Sequence, residues 1–81
     1  MKTYVMYSDE ATIRANTLPE LARHARTLII GWMRLRGIDE EVPEGHAIGG
    51  LLNWYEATFD GTSGMPEWVW FVEDNTKETS E

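Results

Sequence analysis

The chain has 81 residues, 42% hydrophobic and 26% charged, with 14 acidic against 7 basic side chains and a net charge of −7. That length allows one domain with one core, no room for a deep cavity and a thin stability margin, and the lack of cysteine excludes disulfides, cysteine zinc sites and thiol chemistry. The apolar run 28–33 is far shorter than the ~20 residues of a membrane span and the first residues show no signal-peptide pattern, so the chain reads as mature, soluble and cytoplasmic.

Residues 2–7 are rich in β-branched and aromatic side chains and read as a strand. Ser8, Asp9 and Glu10 form a polar break. Residues 11–15 then alternate, with Ala11, Ile13 and Ala15 on one side and Thr12 and Arg14 on the other, as a half-exposed strand does. The two strands are close enough for a hairpin. Thr17 and Glu20 have the spacing of a capping box, and Pro19 is tolerated in a first turn. A helix follows to about Arg36, with Leu18, Leu21, Ala22, Ala25, Leu28, Ile29 and Trp32 on one stripe. Gly37 is a natural terminator, and Ile38 is placed to pack back on Met33.

Residues 39–46 form a charged linker, in which Pro43 pushes Val42 toward an extended conformation. A second helix is expected over roughly 47–60, with Ile48, Leu51, Leu52, Tyr55 and Phe59 as its apolar stripe. Gly49 and Gly50 weaken it by about 1 kcal/mol each. Either the helix starts later, or the glycines admit another backbone. Residues 60–64 read as a loop. Residues 67–73 enclose a five-residue apolar run between acids, which reads as a buried, central strand. Residues 74–81 lack apolar side chains and read as a flexible acidic tail beyond a single domain over 1–73. The order ββααβ implies an α+β fold, a three-stranded antiparallel sheet with two helices packed on one face. The last strand is expected beside the first.

No motif for chemistry stands out. Glu20 and His24 are four apart on a helix, and His46 lies in the linker, without the spacing of a metal site. Ser8 and Ser63 lack a nucleophile-elbow context. The glycines 45, 49 and 50 match no phosphate loop. The expectation is therefore no enzyme, no cofactor and no metal.

The surface is more informative. Residues 1–38 carry six basic and three acidic side chains, a balance of +3, whereas residues 39–81 carry one basic and eleven acidic, a balance of −10. Clustered carboxylates can imitate a nucleic-acid backbone and occupy a basic groove. The candidates are Asp39, Glu40, Glu41, Glu44, Glu56 and Asp60, with solubility as the plainer reading. Arg23, Arg26 and Arg34 share the helix face opposite the core stripe with Ile30, a second candidate contact patch. Four tryptophans and five other aromatic residues are many for this length. In the last strand Trp68, Trp70 and Val72 point one way and Val69 and Phe71 the other. One set should lie on the open sheet face, alongside either Tyr4 and Met6 or Thr3, Val5 and Tyr7. Tyr4, Met6, Trp68 and Trp70 are taken as the candidate partner or dimer face.

The stretch Thr17-Leu18-Pro19-Glu20-Leu21-Ala22 after a hairpin, ending at Gly37 with Val42-Pro43 beyond it, resembles the strand–helix unit of HicB-type antitoxins. The likeness covers under half of the chain and carries over no residue role. In size, acidity and lack of motifs the chain is also similar to small phage-encoded inhibitors, anti-CRISPR proteins included. The expected function is that of a small acidic interaction module. It would act as a regulator or inhibitor, possessing no chemistry of its own, encoded by a phage or other mobile element. Its partner would be a basic, nucleic-acid-handling protein, because a charge of −7 opposes direct nucleic-acid binding. The alternative is a homodimeric, antitoxin-like module that uses the aromatic sheet face.

Overall fold

The computed structural model describes residues 2–59 and 64–74. Five elements follow in chain order: β1 (Lys2–Ser8), β2 (Thr12–Ala15), α1 (Leu18–Leu35), α2 (Ile48–Thr58) and β3 (Trp68–Asp74). The strands form one antiparallel sheet in the order β2-β1-β3. This is the expected α+β architecture, and β3 does pair beside β1. It lies at the sheet edge, however, and β1 is the central strand. Nor is β3 buried as expected, since Val69, Phe71 and Val72 are exposed: the apolar run specifies neither the burial of a strand nor how many neighbours it has.

Ser8 closes the β1–β2 hairpin. Its backbone N–H donates to the Ala11 carbonyl at 2.9 Å, and its hydroxyl donates to the same oxygen at 3.0 Å. The hydroxyl oxygen also accepts from the N–H groups of Glu10 and Ala11. A buried serine is tolerated here because the turn satisfies its polar atoms.

Helix α1 begins and ends on local chemistry. The Thr17 hydroxyl accepts from the Glu20 N–H at 3.2 Å. Glu20 reaches back to the N–H of Asn16 at 3.3 Å, one residue ahead of the capping position, so the box is displaced by one. At the other end the Ile38 N–H donates to the Met33 carbonyl and that of Gly37 to Arg34, with Gly37 at φ +69°. These are the two bonds of a Schellman ending. Helix α2 starts at Ile48 and includes both glycines. A Cβ added at Gly49 would meet nothing within 4 Å, and one at Gly50 would touch only the His46 side chain. The glycines therefore neither delay the helix nor admit another backbone, which corrects both expectations.

The register sorts the sheet residues by face. Met6 lies opposite Ile13 and Trp70, and Tyr4 opposite Ala15 and Val72. These residues, with Ser8 and Trp68, share the side that carries the helices. Met6, Ala15 and Trp68 join Leu21, Ala25, Ile29, Trp32 and Met33 of α1 and Ile48, Leu51 and Tyr55 of α2 in one core. Tyr55 is the hub of its aromatic part, with ring centroids 6.4 Å from Trp32, 5.1 Å from Phe59 and 5.7 Å from Trp68. Among the described residues no helix is long and apolar enough to cross a membrane. The expected loop at 60–63 and the tail at 75–81 lie outside the described residues, and β3 itself continues through Asp74.

Candidate functional site

The linker between the helices is the first candidate surface. Two apolar residues anchor it: Ile38 packs against the core, and Val42 is 4% exposed within it. Arg26 of α1 clamps the backbone beyond them. Its Nε donates to the Pro43 carbonyl at 3.2 Å and its Nη2 to the Val42 carbonyl at 3.1 Å. The same Nη2 lies 3.5 Å from the Glu44 carboxylate. A segment without regular structure is thereby held in place. Between its anchors Asp39, Glu40 and Glu41 are all exposed.

The remaining acidic candidates are not continuous with it. Trp54 lines a hollow beside the linker, together with Arg26 and Glu41. Glu56 lines a different cleft, with Phe59, Met65 and Glu67. At 100° per residue, Trp54 and Glu56 are ~160° apart around α2. The single acidic surface expected from sequence thus divides into a linker ridge and a Glu56–Glu67 flank. Asp60 lies outside the described residues.

The Arg-Ile patch is not formed as expected. Arg23 and Arg34 are exposed, but Arg26 is committed to the linker backbone, and Ile30 is half-buried against the core. Helix α1 packs on the sheet and on α2 as well, so its buried arc is wider than a one-sided stripe.

The sheet-face expectation is also corrected. Met6 and Trp68 are buried, and Tyr4 and Trp70 pack against the core, all on the helix side. The open face carries Thr3, Val5, Tyr7, Arg14, Val69, Phe71 and Glu73 instead. Tyr7 is 52%, Val69 55% and Phe71 42% exposed. Val5 is buried on this same face. Arg14 on β2 lies 3.8 Å from Glu73 on β3, so its stem crosses the central strand beside Val5. The alternation of residues 3, 5 and 7 was the available signal for this face. Nothing local said which of the two alternating sets the helices would cover.

The titratable groups are dispersed. His24 pairs with Glu20 at 3.6 Å and stands beside Ile13 and Leu28, toward β2. His46 stands on the other flank, at a hollow of about 450 Å³ with Leu18, Arg23, Arg26 and Leu51 in its walls. Among the described residues no three His, Asp or Glu side chains are grouped to hold a metal ion. Sequence reasoning missed Arg36 as a fastening. It donates to Gly64 and Trp32 carbonyls and to the Glu10 carboxylate, the last at 2.7 Å. Its place one residue past α1, among exposed carbonyls, was the only hint.

Comparison with protein-family models, curated proteins and solved structures finds no match to this chain.

Proposed function

We propose that this protein is a small interaction module, a cytoplasmic regulator or inhibitor that binds a basic, nucleic-acid-handling protein and performs no chemistry itself. The observation that supports this reading is the pinned linker. Asp39, Glu40 and Glu41 stand exposed between Ile38, packed on the core, and the buried Val42, whose carbonyl and that of Pro43 are held by Arg26. Fixing a charged segment before binding lowers the ordering cost of association. Guanidinium groups that grip phosphate grip carboxylate by the same forked hydrogen bonds. A basic groove built for a nucleic-acid strand is therefore the complementary surface. The compositional likeness to phage-encoded inhibitors, anti-CRISPR proteins among them, agrees with this role.

The test is a capture from the source cell, with partners identified by mass spectrometry. It compares the wild type with a variant in which Asp39, Glu40 and Glu41 are all changed to Lys. The wild type is expected to retain a nucleic-acid-binding protein at low salt and to release it as salt rises. The variant is expected to lose it by at least about tenfold in affinity, given three reversed charges at an interface. The partner's nucleic acid should compete. Capture unchanged by the reversals, or by high salt, rejects the reading.

A further inference from the structure

The exposed apolar side chains are not scattered. Among the described residues six large ones are exposed, and three of them, Val69, Phe71 and Val72, belong to β3. They do not share a face. Val69 and Phe71 point to the open side, and Val72 points to the helix side. Exposure therefore follows the strand edge, which is the pattern left when a strand lacks a neighbour on one side.

The two edges of the sheet differ in how they are guarded. β2 has four residues and carries Arg14. β3 has seven residues, and its pairing with β1 runs from Trp68 to Asp74 without a bulge. Between Trp68 and Val72 it holds no charge and no proline. Short strands, inward charges, prolines and bulges are the usual means of blocking an edge, and the β3 core has none of them. Among the described residues no strand pairs with its outer edge.

The geometry points to a second copy of this chain as the occupant, with β3 pairing antiparallel to β3 about a two-fold axis at Phe71. That register sets Phe71 opposite Phe71 and Trp70 opposite Val72. It sets Val69 opposite Glu73, so no acidic side chain in it faces another. A parallel, in-register pairing would put Glu73 beside Glu73, which is unfavourable for like charges directly opposite, whereas a two-fold contact in which the same edge meets itself closes at two copies. The two three-stranded sheets then join as one antiparallel sheet. On the open face Phe71 of each copy meets its counterpart across the seam, with Val69 on the same strand and Tyr7 one strand further in. This inference uses a different surface from the linker and is independent of the function proposed above.

The test is the mass of the full chain by light scattering and sedimentation up to millimolar concentration. The expected mass at high concentration is twice 9.3 kDa, and the dimer should tighten with salt because each copy carries −7. Two variants read the register. Val69→Lys places a cation opposite Glu73 of the second copy and should strengthen the dimer, while Val69→Glu should weaken it. The dissociation constants of these two variants should differ by about tenfold, from two cross-strand pairs per dimer. Leu35→Lys and Leu35→Glu make the same charge changes on α1, and their constants should differ little. Circular dichroism shows that each variant is folded. A wild type that stays monomeric at millimolar concentration overturns the inference. So does a dimer that responds equally to the two Val69 variants, which would indicate packing through another surface.

Discussion

Tyr55 sits where Trp32, Phe59 and Trp68 converge, and its hydroxyl donates to the Pro66 carbonyl. Burial pushes its phenol up to about 12, against the lowering pull of the nearby Arg36 charge. The phenol is neutral in the folded and unfolded chain below pH 10. Between pH 10 and about 12 the unfolded chain gives up a proton that the folded chain retains, so stability falls as pH rises through that window. Tyr55→Phe removes this dependence. At pH 8 the wild type should be more stable by about 1 kcal/mol, the net worth of one hydrogen bond. In urea unfolding that advantage should shrink steadily above pH 10. A constant difference would show that the phenol titrates alike in both states. Arg26 and Arg36 teach a related lesson at this scale. Read from sequence Arg26 belongs to a basic helix face and Arg36 only adds to the charge balance of residues 1–38, but the structure uses both to tie backbone carbonyls of distant segments. A guanidinium offers five donors in a fixed fork, and no one-dimensional pattern shows which carbonyls it will reach.

At the scale of the elements, the glycines separate into two kinds. Gly37 ends α1 at φ +69°, and a Cβ there would meet nothing within 4 Å. The cost of Gly37→Ala is therefore one of backbone conformation, about 1 kcal/mol. Gly49 lies inside α2, again with open space around it and without a positive φ. Gly49→Ala should stabilise the protein by about 0.5–1 kcal/mol through helix propensity and a less flexible unfolded chain. Thermal or urea unfolding of the two variants should move the midpoint in opposite directions, and equal signs would refute this assignment. Thr17, Glu20, Gly37 and Ile38 were legible in advance because caps act within a few residues. The alternation of β1 and β3 was legible for the same reason. The edge position of β3 was not, since it depends on the route of the chain through two helices. Nor was the burial of Val42, an isolated apolar residue among acids whose site exists only once α1 and α2 have packed.

The whole molecule carries −7, and its acidic and basic residues are separated along the chain. Sequence showed that imbalance, but α2 divides the acids into two groups, and only folding decides which carboxylates share a surface. The described ion pairs Arg14–Glu73, Arg26–Glu44 and Arg36–Glu10 are all partly exposed to solvent, and such pairs contribute modestly. They are also short-range, whereas repulsion within the acidic half acts over longer distances. Screening removes the longer-range part first, because the Debye length falls to about 10 Å at 0.1 M salt. Net repulsion should therefore dominate the salt response of the fold. Raising NaCl from about 0.02 to 0.2 M should stabilise the dilute monomer by about 0.5–1 kcal/mol. The measurement is the urea midpoint at a concentration where dilution no longer shifts it, since self-association would make the midpoint concentration-dependent. The same salt change should strengthen pairing of two copies and weaken binding to a basic partner. The signs are opposite because one process brings like charges together and the other brings unlike charges together. A midpoint that falls with salt would mean that the local pairs outweigh the repulsion, and the net charge would then be the smaller of the two terms.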